Sequence, residues 1–211
     1  MARLTLTYQL ILLALLYVLS GNESATAAAA AATTTTTRAA ANKRNIRFIR
    51  TSCGATTYPS LCLKSLSMYA SRIRNSPKNL VTTALYVSVA RARHTKTFIY
   101  KLSKFRGLKR REYAAIKDCL EELGDSVNRL SDSVRELRRL GRARGTEFTW
   151  HMSNVQAWVS AALTDHSTCL DGFSGRALRG RVKSSVRARM TNVAQVTSNA
   201  LALCNQFAVK Y

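Results

Sequence analysis

The side chains in this 211-residue chain that could do chemistry are five cysteines, Cys53, Cys62, Cys119, Cys169 and Cys204, and three histidines, His94, His151 and His166. Thiolates can attack electrophiles or bind metals, and paired thiols can close disulfides. No CxxC or HxxxH spacing occurs, so the set does not read as a zinc site, and neither metal nor cofactor is expected. Asp165-His166 invites a catalytic reading, but a lone histidine on a helix is usually structural. No nucleophile elbow or glycine-rich phosphate loop accompanies it, so no catalytic residue is expected. Cys53 and Cys62 lie nine positions apart with Thr57, Tyr58 and Pro59 between them. Half-cystines so placed can close a small covalent loop around a Tyr-Pro turn.

Whether these thiols oxidise depends on the compartment. Arg3 precedes an apolar run from Leu4 to Leu19, followed by small residues through Ala25-Thr26-Ala27. That is the pattern of a secretory signal peptide over residues 1–27, with an uncleaved anchor as the alternative. The run is short for a membrane span, and no membrane association is expected after cleavage. In an oxidising compartment the cysteines are disulfide candidates first. Five cannot all pair, and two pairs among five allow fifteen connectivities, so spacing alone leaves the connectivity open. Residues 28–45, dominated by alanine and threonine, have no large side chains with which to hold a core. They read as a disordered linker, with O-glycosylation of the threonine run a plausible addition. Residues 46–211 are then one domain of comfortable size.

The elements that must position the cysteines are helical. Pro59 and Pro77 are the only prolines, so uninterrupted helices can follow. Ser76-Pro77 reads as an N-cap and first helical residue of a helix running to about Phe105. A second carries Ile116, Cys119, Leu123, Val127, Leu130, Val134 and Leu137 at alternating steps of three and four, with Gly141 and Gly145 in the loop after it. A third begins near Met152, buries Val155, Trp158, Val159, Ala162, Cys169 and Leu170, and closes at Gly172. A fourth runs from about Leu178 to Phe207. The fold expected is all-α: an up-down-up-down four-helix bundle with a helical hairpin, from Arg47 to about Arg74, in front.

Four blocks carry a resemblance: FIRTSCGATTYPSLCLKSL from Phe48 to Leu66, AIKDCLEELGDSV around Cys119, SNVQAWVSAALTDHSTCLDGF from Ser153 to Phe173, and NVAQVTSNALAL from Asn192 to Leu203. Over nearly the entire mature domain the chain resembles the plant invertase and pectin methylesterase inhibitor family. That resemblance implies two disulfides, Cys53–Cys62 and Cys119–Cys169, with Cys204 as the free thiol. Cys204, beside Leu203, reads as a buried small hydrophobe; a reactive or intermolecular thiol is the alternative. The family domain also occurs as a pro-region of pectin methylesterases; a chain ending at Tyr211, right after the bundle, is expected to be the free-standing form.

Charge is the remaining signal. The net charge is +22. No acid occurs from Ser24 to Arg111, against eighteen bases, and none follows Asp171. Ten of the eleven acids fall between Glu112 and Asp171. On the second helix Asp118, Glu121, Glu122, Asp125, Asp132 and Glu136 form one stripe at helical spacing, with Arg129 among them, opposite the apolar seam. The stripe is either an ordinary solvated face or a surface kept acidic for a partner. The resemblance implies the second: its pectin methylesterase inhibitors cover the enzyme's cleft with polar and acidic residues of the second and third helices. Carried over by position, the partner contacts are Glu121, Asp125, Thr168 and Asp171, with Asn128 and Gln156 as further polar positions. Asp171 could instead bind nearby backbone, and Thr168 could be an ordinary helix residue.

Invertase inhibitors of the family carry a Pro-Lys-Phe element between the last two helices. Ser174 to Arg181 holds no proline, which favours pectin methylesterase over acid invertase. Without a nucleic-acid-binding motif, and with secretion expected, the basic surface points away from nucleic acid and toward demethylated pectin. The reading is a secreted inhibitor binding pectin methylesterase one-to-one in the cell wall, with an acid invertase inhibitor or a basic pectin-binding wall protein as alternatives.

Overall fold

A computed structural model describes residues 9, 11–13, 37–141, 143–175 and 180–209. The chain divides into two compact units, residues 1–44 and 45–211. The described residues of the first are helical, and the expected signal peptide otherwise lies outside them. Among the described residues no helix is long and apolar enough to cross a membrane.

The first long element, α1, covers residues 37–54, so the last nine residues of the expected linker are helical rather than disordered. The reason is local: Ala39, Ala40, Ala41, Lys43 and Arg44 are strong helix formers with no proline or glycine to stop them. The chain turns at residues 55–58 and enters α2 (Pro59–Leu66) on a proline, whose fixed φ suits a first helical position. A 3₁₀ turn (Ser67–Tyr69) and a short α3 (Ala70–Ile73) complete the hairpin. Cys53 is bonded to Cys62 across the turn, with Cα atoms 5.6 Å apart. Asn199 fastens this turn to the bundle: its Oδ1 accepts from Tyr58 N at 2.9 Å, and its Nδ2 donates to Tyr58 O at 3.0 Å.

Four long helices follow: α4 (Pro77–Ser103), α5 (Arg110–Arg139), α6 (Gly145–Gly172) and α7 (Arg181–Ala208). Ser76 caps α4, its Oγ accepting from Asn79 N at 3.3 Å. α6 starts two turns earlier than the apolar pattern indicates, because Gly145 takes the left-handed φ of +57° and lets the chain enter the helix directly. Each long helix packs on two others, α5 on α4 and α6, and α7 on α4 and α6, which closes the bundle. Among the described residues there is no strand.

The core has two parts. The larger joins the hairpin (Ile49, Leu66, Ile73) to Leu85, Leu130, Val155 and Leu203. The smaller fills the end where α4 passes to α5, with Ile99, Ile116, Leu123, Phe173, Val186 and Met190 around Cys119 and Cys169. Cys204 is a fully buried free thiol, and burial pushes its pKa up to about 12, so it stays protonated and packs as a hydrophobe.

Candidate functional site

α5 is built to stand firmly at its start. Glu112 reaches back so that its Oε2 accepts from Lys109 N at 2.9 Å, and three turns of apolar residues then bury one side. Along the seam between α5 and the antiparallel α6 runs a series of cross-links. Cys119 and Cys169 are bonded, with Cα atoms 4.5 Å apart. One turn or two further along, Ser126 Oγ and His166 Nε2 lie 2.5 Å apart. Next, Arg129 Nε donates to Asp165 Oδ2 at 3.1 Å. Toward the far end, Glu136 Oε1 meets His151 Nδ1 at 2.9 Å and accepts from Asn154 Nδ2 at 3.0 Å. A covalent bond and four polar contacts thus fix the register of these two helices.

Outside this seam lie the residues carried over from the resemblance. Glu121 and Asp125, four apart on α5, are exposed, and so are Thr168 and Asp171 on α6. Cys119 lies two residues before Glu121 and Cys169 one after Thr168, so the disulfide ties together the helical turns that carry them. Among the described residues no ion pair involves Glu121 or Asp125. Thr168 Oγ1 donates to Thr164 O at 3.2 Å, leaving its oxygen able to accept. Asn128 is exposed on α5, but Gln156 is turned to the other side of α6, its Nε2 donating to Asn205 Oδ1 at 2.8 Å.

The acidic stripe read from helical spacing needs correction. Glu136 is only 3 % exposed, because α6 lies over it. Burial opposes its charge, yet hydrogen bonds from Asn154 and His151, with Arg139 nearby, outweigh that and hold its carboxyl below the ordinary range. Glu136 is therefore an internal anchor. Asp132 is paired with Arg135 one turn on. What remains exposed to a partner is the first half of the stripe.

That half is electrostatically crowded. Burial, then the charges of Asp165, Asp125 and Glu121, push Glu122 above the usual carboxylate range, with Arg129 opposing. Asp165 is also raised, chiefly by burial, with Arg129 lowering and Asp125 raising it. An acidic cluster with more negative charge than its single arginine balances attracts a cationic surface. His166 has no exposed surface, and burial lowers its pKa to about 4. It is neutral at ordinary pH and serves packing, deeper in the core than its sequence position indicates. Among the described residues no group of three or more His, Cys, Asp and Glu could hold a metal ion.

The bundle thus has one helix pair locked by a disulfide and seam contacts, with acids and hydroxyls exposed on both helices of that pair. The family model described as plant invertase/pectin methylesterase inhibitor matches residues 47–203. The chain is 56 % identical over 165 residues to the "21 kDa protein" of Daucus carota, covering 78 % of this chain and 86 % of that one. It is 54 % identical over 171 residues to pectinesterase inhibitor 11 of Arabidopsis thaliana, covering 81 % and 85 %. A crystal structure of a pectin methylesterase inhibitor from Arabidopsis thaliana is similar with a TM-score of 0.52 and 25 % identity, covering 74 % of this chain and 93 % of that one. The chain belongs to the plant invertase/pectin methylesterase inhibitor family.

Spacing on α5 alone does not mark Ser126 or Arg129 as seam residues, and Asp165-His166 on α6 invites a catalytic reading where the structure gives them seam contacts. The available signal was that Ser126 and Ser133, small and polar, flank the apolar seam on one side, marking where a second helix can approach closely.

Proposed function

We propose that this protein is a secreted inhibitor of pectin methylesterase that forms a one-to-one complex and covers the enzyme's substrate cleft in the plant cell wall. The observation that carries this reading is the pairing of exposed Glu121 and Asp125 with Thr168 and Asp171 on two helices joined by Cys119–Cys169. Relatives at 54 % and 59 % identity are named pectinesterase inhibitors 11 and 9, which supports the target. Occlusion needs only a preformed surface, and a locked helix pair loses little freedom on binding. The apolar N-terminal run and the two disulfides support export to an oxidising compartment. Acid invertase is the second reading, kept because the matching family's description includes invertase inhibitors.

The test is titration of the oxidised protein against a plant pectin methylesterase and, separately, an acid invertase. Esterase activity should fall linearly to an end point at equimolar inhibitor while invertase is unaffected. Inhibition of invertase alone would transfer the reading to that enzyme.

A further inference from the structure

The bundle end where α4 passes into α5 carries features that inhibition through α5 and α6 does not use. From Tyr100 to Tyr113 the chain reads YKLSKFRGLKRREY, with six bases and one acid. That acid, Glu112, is buried and bonded to Lys109 N, so its carboxylate is drawn inward from the exposed bases. Lys101, Lys104, Arg106, Lys109, Arg110 and Arg111 are all exposed. Lys109, Arg110 and Arg111 sit at the start of α5, where the helix dipole already favours anions and disfavours cations, so three bases there cost stability. At the same end of the bundle, other bases are used internally: Lys183 Nζ donates to Ser174 O and Gly175 O at 2.9 Å, and the Arg189 guanidinium lies 3.8 Å from the Phe98 ring centre.

Three aromatic rings stand among the exposed bases. Tyr100 is 55 % exposed, Phe105 65 % and Tyr113 52 %. Large side chains held outward at the end of α4, in the connection and at the start of α5 are not explained by the core. The connection is nonetheless ordered: Phe105 N donates to Leu102 O at 3.0 Å, Leu108 packs on the smaller core, and the Lys104 ammonium lies 5.1 Å from the Tyr100 ring centre. Rings and cations are thus presented together on a fixed support. A ring face, negative in its quadrupole, suits the polarised C–H face of a sugar, while the ammonium and guanidinium groups suit carboxylates set along a chain.

We propose that this connection binds an anionic polysaccharide built of uronic acid residues, the demethylated form of pectin, so that the inhibitor is held on the polymer whose esters its target removes. An extended surface rather than a closed pocket suits a polymer. The choice of uronate polymer rests on the pectin methylesterase reading; the surface chemistry does not.

The test measures binding of the full oxidised protein to polygalacturonate, to highly methyl-esterified pectin of equal length, and to polyglutamate, a polyanion without sugar rings. The wild type should bind polygalacturonate about tenfold more tightly than the esterified polymer, and less so as salt rises. Tyr100→Ala with Phe105→Ala should weaken polygalacturonate binding about fivefold and leave polyglutamate binding unchanged. Lys104→Gln, Arg106→Gln and Arg110→Gln together should weaken both polyanions and flatten the salt dependence. Equal binding to esterified pectin, or an aromatic variant that binds polygalacturonate like wild type, would overturn the proposal. Esterase inhibition, measured on the same preparations, reads the other function separately: an inactive inhibitor that still prefers polygalacturonate leaves this surface standing, and an active one without that preference removes it.

Discussion

His166 shows how far one side chain can depart from its sequence reading. It is fully buried against Ser126, and its pKa of about 4 lies below the ordinary 6.5. Above pH 6.5 neither the folded nor the unfolded histidine is charged, so stability is unaffected. Between 6.5 and about 4 only the unfolded state takes up the proton, and folding stability falls by about 3 kcal/mol across that window. His166→Gln should remove this loss, seen as a flatter dependence of Tm on pH; an unchanged slope would place the acid sensitivity elsewhere. Glu136 works in the same direction at lower pH, since its depressed pKa stabilises above the usual carboxylate range and that contribution is lost on acidification. Glu122 and Asp165 work oppositely, because their raised values make the ionised forms costly and acidification relieves them. Glu136→Ala leaves His151 and Asn154 without their shared acceptor and should cost about 1–3 kcal/mol in chemical denaturation. A cost near zero would mean that the seam does not depend on this carboxylate.

At the scale of elements, the four long helices were legible because their apolar residues recur every three or four positions and the prolines stop before them. Boundaries were less so: α6 begins at Gly145 on a left-handed φ that periodicity cannot reveal, and α1 extends back into alanines that look like linker. The positions proposed to face a partner, Glu121, Asp125, Thr168 and Asp171, come only from the resemblance around the half-cystines. The burial of Glu136 and Asp165 was not readable, since spacing on one helix does not say which flank its neighbour covers. The two disulfides make a test of what each element does. Cys53–Cys62 closes a short loop in the hairpin and is worth about 3 kcal/mol, while Cys119–Cys169 closes a span of 50 residues and is worth about 4. Cys119→Ser with Cys169→Ser should lower both stability and inhibitory strength, because it frees the register of α5 on α6. Cys53→Ser with Cys62→Ser should lower stability alone. Equal loss of inhibition in both variants would show that the disulfides act only through global stability.

For the whole molecule, the organising fact is the separation of charge along the chain. Ten acids and seven bases lie between Glu112 and Asp171, and the remainder of the chain is almost purely basic. The fold gathers that acidic stretch into one helix pair, so a strongly cationic protein keeps a negative face on α5 and α6. Association through that face should be faster at low salt and slow as ionic strength rises, read as the association rate with the esterase between about 10 and 150 mM salt, where the screening length shortens from about 30 to 8 Å. A salt-independent rate would remove electrostatic steering from the account. The most direct measurement is the inhibition constant of Glu121→Lys with Asp125→Lys against pectin methylesterase, beside wild type, with melting temperatures recorded for both. The account predicts weakening of about tenfold or more with the fold intact, since two exposed charges are reversed at the centre of the face. Unchanged inhibition by a folded double variant would contradict it and reduce the acids of α5 to a solvated surface.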